Sequence, residues 1–446
     1  MKIGSVTVIS LLLLSFFGEA LADDRTVSLK EAVSLALTGN HEVRAFTFSV
    51  SAEGEDIGVA RSFLLPKIAF EERFLRTNNP PTVFSMKLNQ RRFAPADFEI
   101  DSLNNPAPIN DFQTTFALEQ ALFTRKASVG LEMARTEFAA KSEDLTRKKE
   151  EIAFRVTQAY LATSAADEFV NAAEKALEDA REQVRLAELR HDTGLGLYSD
   201  TLRASTSLKE AEQRLVTAEK NRKVARRALG LVIGVEESLA ALGGPPEVRL
   251  EQQTYYQEAA SKRKDLEALR LRQENAKNSV RLAQSGYFPT LGLGGAYQLN
   301  DHRRPFGSEG DSWQLVAFLR WDLFDGARRE HEVSKARFKV AETGEHLEGL
   351  RKAVSYKVYE AYLGVEETRK GLELARAALA TAEEGRRLVR ARYESSLAIF
   401  VDLLNAQANL DYTRANLAGS ESAYLRSIAN LAYESGTILR DLNIEQ

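Results

Sequence analysis

The second half of the sequence repeats the first, so the chain can only fold into something assembled from two like units. VARSFLLPKIAF at 59–70 aligns with LAQSGYFPTLGL at 282–293, placing Pro66 on Pro289. ALEQALF at 117–123 aligns with FLRWDLF at 318–324, and VTQAYL at 156–161 with VYEAYL at 358–363. LRHDTGLGLYSDTL at 189–202 aligns with ARYESSLAIFVDLL at 391–404, placing Asp200 on Asp402. Beyond Phe123 the spacing of the two copies stays nearly constant, and the first half carries extra residues before that point. The alignment divides the chain into a first repeat at 23–242, a linker at 243–250 and a second repeat at 251–446.

Each repeat reads as helix, strand, loop, strand, long helix, turn, helix. The clearest strand is Trp313 to Phe324, WQLVAFLRWDLF, in which Trp313, Leu315, Ala317, Leu319, Trp321 and Leu323 alternate with a more polar set. Two tryptophans eight residues apart on one face of a strand lie roughly 26 Å apart along it. That spacing, shortened by strand tilt, approaches the height of the apolar band on an outer-membrane barrel with an aromatic anchor at each edge. The spacing predicts strand pairs at 66–76 with 112–123 and at 288–299 with 312–324. The glycines of LGLGG at 291–295 read as small residues facing a barrel lumen. Residues 77–111 contain Pro80, Pro81, Pro95, Pro106 and Pro108 and no sustained period, and read as a long surface loop.

The rest is helical. Ser28 and Glu31 form a capping box at the start of the first helical segment. Past Phe123 no proline occurs until Pro245, and apolar positions step by three, four or seven: Leu145, Ile152, Val156, Tyr160, then Leu177, Ala180, Val184, Ala187. This is a coiled-coil pattern. It predicts long helical hairpins at 124–230 and 326–433, the first helix about 100 Å long at 1.5 Å per residue.

Lys2, the apolar run Val6 to Phe17 and Ala20-Leu21-Ala22 read as a secretory signal peptide, 1–22, with cleavage after Ala22. No stretch is long and apolar enough for a membrane helix. The chain has no cysteine, and its five histidines are scattered without metal-ligand spacing. Phosphate-binding and nucleophile-elbow motifs are missing, so the expectation is a protein with no catalytic residues, no cofactor and no metal. A net charge of −4 gives no sign of nucleic-acid binding.

Four membrane strands cannot close a barrel, and open strand edges cannot stay in hydrocarbon. A coiled-coil seam is likewise not buried by one helix. Both arguments require oligomerisation. With the duplication, the Phe288-Pro289 joint, the LFDG joint at Leu323–Gly326 and the Arg190–Asp200 and Arg392–Asp402 segments, the sequence resembles the TolC-like outer-membrane factors over nearly the whole mature chain. The resemblance implies a mainly α protein with membrane β-structure. It implies a homotrimer whose twelve strands form a barrel in the outer-membrane lipid of a Gram-negative bacterium, with a periplasmic α-barrel of long antiparallel coiled-coil helices. It implies a mixed equatorial region near 231–260 and the C-terminal tail. It also implies an exit duct of a tripartite efflux pump or type I secretion system, with a periplasmic adaptor and an inner-membrane transporter as partners.

In that family the helix turns close the periplasmic end, and the matching positions here are Asp200, Tyr393 and Asp402. A ring of aspartates would also favour cations. A plainer role for Asp200 and Asp402 is to cap the returning helices. Ala398 and Asn405 replace an arginine and an aspartate of the best-known members' gate. Gly194-Leu195 matches the tip motif that meets the adaptor, and in the second half Ser396-Leu397 stands there instead. Trp313 and Trp321 are the expected membrane-interface aromatics. The alternative is an exported periplasmic coiled-coil adaptor or scaffold without a pore. An adaptor would carry one helical hairpin flanked by compact β-domains, whereas this chain reads as two hairpins with four membrane-type strands.

Overall fold

The computed structural model describes residues 25–243 and 250–444. The expected signal peptide and most of the 243–250 linker lie outside the described residues. A short strand β1 (Arg25–Val27) leads into α1 (Leu29–Gly39) and α2 (His41–Ser62). The Ser28 hydroxyl accepts from the Glu31 N–H, and the Asn40 side chain accepts from the N–H groups of Glu42 and Val43, so each helix starts on a side-chain cap. β2 (Lys67–Thr77) follows, then α3 (Pro80–Asn89) and α4 (Ile100–Asn104), then β3 (Ile109–Phe123). The first hairpin is α5 (Arg125–Asp192) and α6 (Tyr198–Ile233). After β4 (Leu239–Ala241) come α7 (Gln253–Ala260), α8 (Lys264–Gln284), β5 (Thr290–Asp301) and β6 (Gly310–Arg320). The second hairpin is α9 (Arg328–Glu394) and α10 (Phe400–Ser435), with a last turn α11 (Ile438–Asp441).

The two hairpins are the same object twice. α5 and α9 have 68 and 67 residues, and α6 and α10 have 36 each. Both returning helices end on a glycine in the left-handed region, Gly234 at φ 98° and Gly436 at φ 74°, where a Cβ would be strained. Their cores repeat too. Ile152, Val156 and Leu229 are buried in a cluster with α1 and β4. Val354, Val358 and Leu431, their partners in the repeat, are buried in a second cluster with α7 and α8. These two cores, with the parallel β1–β4 pair and α11, form a thickened belt around mid-length. An Arg263 side chain, 7% exposed, ties this belt to the hairpins by bonding Asp265 and Glu434.

The four long strands form one antiparallel sheet in the order β2-β3-β5-β6. Pairing of β3 with β5 joins the two repeats edge to edge. β2 and β6 are left as open edges.

Three expectations need correction. Residues 77–111 are not an irregular loop: α3 starts on Asn79 as cap with Pro80 and Pro81 in its first turn, and α4 and a 3₁₀ turn at Pro95–Phe98 follow. Prolines that forbid a helix interior suit a first helical turn, which the composition reading overlooked. The strands are also shifted, since β3 starts at Ile109 and β5 runs from Thr290 to Asp301. Most consequentially, β6 stops at Arg320, so Trp321 lies past the strand rather than on its alternating face.

The early stop coincides with the joint to α9. In the first half Thr124 alone links β3 to α5, capping the helix through its hydroxyl. In the second half Gly326 and Ala327 are both left-handed, at φ 72° and 64°, and the chain needs residues 321–327 to turn. The buried Arg329 guanidinium holds the turn by donating to the carbonyls of Gly286, Asp322 and Leu323 at 3.1, 2.9 and 3.0 Å. Asp325 lies 3.1 Å from its Nε. The register sets the end of β6, because Thr290, the first residue of β5, pairs with Arg320 and leaves Trp321 no partner. Arg329→Ala should leave three carbonyls without their partner and Asp325 with only the more exposed Arg328 at 3.5 Å, destabilising the joint by about 3–5 kcal/mol. Thermal unfolding in detergent should show the transition falling by several degrees, and an unchanged transition would place the joint's stability elsewhere.

Candidate functional site

Two regions carry the chemistry expected of this architecture: the sheet face and the hairpin tips. Across the sheet Phe70 stands opposite Phe116, Phe116 opposite Tyr297, and Tyr297 opposite Trp313. Directly paired residues share a face, so one aromatic from each strand forms a continuous row at one level. The Phe70 and Phe116 rings are 5.3 Å apart. On the next level toward the β5–β6 turn stand Glu72, Thr114, Leu299 and Asp311, a more polar set. On the other side are Ile68, Leu118, Gly295 and Leu315, an apolar one. An aromatic row between a polar and an apolar level is the pattern of a barrel's interface girdle. Trp313 belongs to this row. Trp321 sits at the opposite end, with its indole N–H donating to the Tyr287 carbonyl at 3.1 Å. On the other face Gly292 lies opposite Phe318, and a Cβ there would meet the Phe318 ring. Gly292 makes room for a neighbour's ring, whereas Gly295 stands on the aromatic-row face between Leu118 and Leu315, so the glycines of LGLGG do not all face a lumen.

At the far end, about 100 Å of helix away, each hairpin turns the same way. The Leu195 N–H bonds the Arg190 carbonyl at 2.8 Å, and the Leu397 N–H bonds the Arg392 carbonyl at 2.7 Å. Gly194 and Ser396 are both left-handed, at φ 74° and 62°, so the serine that replaces glycine in the second turn leaves the turn's shape unchanged. The turns push Leu195 and Leu397 into solvent, 69% and 70% exposed.

Tyr393, Asp200 and Asp402 part company here. Tyr393 is buried against Phe400, Leu403, Ala187 and Ala204, with the Arg190 guanidinium 4.6 Å from its ring centre. Arg190 also donates to the Tyr393 carbonyl at 2.7 Å and the Ser396 hydroxyl at 2.9 Å, so it caps the C-terminal end of α9, where a cation is favoured. Burial pushes the Tyr393 phenol up; the nearby Arg190 charge opposes the shift and Asp200 reinforces it. Neither aspartate caps a helix by its side chain. The N-cap positions are Leu197 and Ile399, and Asp200 and Asp402 fall in the first turn, favourable to the helix dipole but not hydrogen-bonded caps. Asp200 is tucked beside Tyr393 and lies 3.7 Å from Arg203, whereas Asp402 is exposed.

Further along the hairpins lies a cluster that the sequence reading missed. Asp179 on α5 receives Arg386 at 3.0 Å, Arg414 at 2.8 Å and Gln407 at 2.9 Å, all from the second hairpin. Gln407 also accepts from Arg386 and donates to Asp411. Burial pushes the Asp411 carboxyl up, with Asp179 adding to the effect. Nearby, Glu182 is held down at about 2 by Arg185 first, with Arg390 contributing from α9. A signal for this cluster existed in the repeat alignment. Asp179, Gln407 and Arg414 stand where the other half has Thr381, Ser205 and Glu212, so the polar set breaks the repeat.

One group with metal-ligand chemistry, Asp301, His302 and Glu309, gathers at the β5–β6 turn, although no histidine spacing suggested it. Its atoms are already engaged. His302 Nδ1 pairs with Glu309, and Asp301 accepts from the N–H groups of Arg303 and Arg304 at 2.7 and 3.1 Å. This is the bonding of a closed turn.

An open-edged sheet with an aromatic row, carried on paired hairpins with exposed tips, defines a membrane-duct class of protein. The profile of the family described as outer membrane efflux protein matches residues 32–235 and 255–437, one match in each repeat. The chain belongs to the outer membrane efflux protein family. It is 23% identical over 424 residues to the outer membrane protein TolC of Vibrio cholerae, covering 92% of this chain and 91% of that one. It is 22% identical to the alkaline protease secretion protein AprF of Pseudomonas aeruginosa, covering 93% of this chain and 86% of that one. Among solved structures, the Vibrio cholerae outer membrane protein VceC superposes with a TM-score of 0.74 at 17% identity, covering 92% of this chain and 96% of the other. The Campylobacter jejuni CmeC outer membrane channel does so at 0.75 and 17%, covering 92% and 85%. The protein is thus an outer-membrane channel of a Gram-negative bacterium with a periplasmic helical extension.

The Asp179 cluster generates a test of its own. Asp179→Asn removes the anion on which two arginines from the other hairpin converge, and should loosen the hairpin pair. Limited trypsin digestion in detergent should then cut after Arg386 or Arg390 faster than in wild type. Equal cleavage rates would show that apolar packing alone holds the pair.

Proposed function

We propose that three copies of this chain pool their strands into one twelve-stranded barrel and their hairpins into a periplasmic tunnel. The assembly is a passive exit duct, fed by an inner-membrane transporter through a periplasmic adaptor. The observation that carries this reading is the four-stranded sheet whose two outer strands are unpaired while an aromatic row crosses all four. A lone sheet of this kind would leave backbone N–H and C=O groups facing lipid, which is prohibitive. Edge-to-edge pairing of β6 with the next copy's β2 removes the edges and closes the aromatic row into a girdle. Trp313 then marks one membrane interface and Trp321 the other, the latter carried by the joint rather than the strand.

The tips serve as the gate. Asp200, Tyr393 and Asp402 stand at the turn where the tunnel would narrow, and the aspartates give the constriction a preference for cations. Gly194-Leu195 and Ser396-Leu397 present an exposed leucine from each hairpin to a helical-hairpin adaptor. A poreless adaptor or scaffold would need neither the sheet nor its girdle. The chain has five histidines and three methionines, a composition that does not favour metal ions as cargo and fits selection by the transporter.

Single-channel recording in planar bilayers tests the duct. Wild type should give small, cation-preferring openings, and Asp200→Ala with Asp402→Ala should lose that preference or widen the openings. A folded, membrane-extracted oligomer with no conductance would remove the duct reading and restore the scaffold.

A further inference from the structure

The loop between β5 and β6 does not stand clear of the sheet. It folds over the face that carries the aromatic row and crosses β3 to reach β2. The Phe306 ring lies 6.1 Å from the Phe70 ring, nearly parallel at 16°, and the Phe306 N–H donates to the Glu72 carboxylate at 3.4 Å. Phe306 sits at φ 57°, a conformation that a bulky residue keeps only where its surroundings enforce it. The residue is still 66% exposed, so its ring extends the aromatic row outward. The β2–β3 connection goes to the opposite face. There Gln90 donates to Asp111, which also accepts from Asn300 on β5, on the side away from Phe116 and Tyr297.

Two arginines come with this loop. The acids around them are already engaged: Asp301 by the backbone N–H groups of Arg303 and Arg304, Glu309 by His302, Glu72 by the Thr114 hydroxyl and Phe306, and Asp311 by Arg91 at 2.6 Å. The arginine side chains are not. Arg304 is exposed, and its guanidinium has no hydrogen bond or ion pair among the described residues. Arg303 commits only its Nε, 3.0 Å from His302 Nε2 and 3.9 Å from Glu309. Its two terminal nitrogens have no partner among the described residues.

We propose that Arg303 and Arg304 hold the phosphate groups of an anionic lipid in the outer leaflet, with Phe306 packed against its acyl chains. The inference rests on the barrel reading above, which puts the β5–β6 turn, remote from the helices, at the outer surface. Guanidinium forks match phosphate oxygens, and anionic headgroups attract basic residues at a membrane surface. A phosphorylated lipid accounts for both parts of the loop, because one molecule supplies the anion and the apolar chains. A free phosphate would leave the exposed Phe306 ring against water. Each copy carries one such loop, so the trimer offers one site per copy on its lipid-facing rim.

Native mass of the detergent-extracted particle, titrated with the diphosphorylated glycolipid lipid A, should show one bound lipid per copy at saturation. Arg303→Gln with Arg304→Gln should weaken that binding by about tenfold or more, and the loss should shrink as salt is raised. Arg303→Lys with Arg304→Lys keeps the charge but gives up the fork, and should fall between. Phe306→Gly suits the positive φ but removes the ring, and should weaken binding several-fold without changing the native mass. Equal binding by wild type and the glutamine variant overturns the site. Dephosphorylated lipid A binding as tightly as lipid A would reduce it to apolar contact, and inorganic phosphate displacing lipid A at equal concentration would make it a free-anion site; either result overturns the lipid assignment. Quenching of Trp313 and Trp321 by chain-brominated phospholipid in bilayers reports the sheet's place in lipid independently. Quenching together with equal lipid A binding by the glutamine variant overturns the lipid site and leaves the barrel standing, whereas absence of quenching overturns the barrel reading itself.

Discussion

The unsatisfied backbone at the two edges of the sheet is the constraint on which the rest of the structure depends. β2 and β6 each present 11 residues with one side unpaired. In water such an edge invites aggregation, and in lipid it is excluded. The aromatic row places the sheet in lipid, so the edges must be closed by other copies of the chain. The long helices inherit the same requirement. α5 follows β3 through Thr124 and α9 follows β6 through the 321–327 joint, and closing the sheet brings the hairpins into a ring. Strand pairing at one end thereby fixes which helices face each other at the other.

Much of this was legible because duplication doubles every signal. The equal helix lengths, the tip turns and the buried Ile152, Val156 and Tyr160 follow from spacing that occurs twice. The misreadings came where one half departs from the other. Residues 77–111 have no counterpart of equal length, and their prolines resemble loop punctuation until Asn79 is seen capping a helix. The alternation through Trp321 was genuine in sequence, but a period does not record where hydrogen bonding ends. The register decides that, because β5 begins at Thr290, opposite Arg320. The Asp179 cluster was invisible to motif reading because its members come from three helices.

Departures between the halves are also where function gathers. A perfectly repeated chain would make a ring of six identical seams that open together. Here the pair of hairpins within a chain is pinned by Asp179 with Arg386, Arg414 and Gln407, and by Arg190 on Tyr393. Polar clusters of this kind fix geometry more than they add stability. The exposed tips of both hairpins keep the same backbone shape, so an adaptor would meet six nearly equivalent leucines whatever the state of the seams. Such an arrangement allows docking and opening to be set by different residues.

The central claim is that the sheet is one third of a barrel, and the most direct measurement is the native mass of the particle extracted from outer membranes in mild detergent, before and after heating. The account predicts a single species of three copies that resists dissociation until the sheet unfolds, and that survives substitution of the tip residues Asp200, Tyr393 and Asp402. A monomer, or an oligomer that falls apart when only the tip residues are changed, would contradict it.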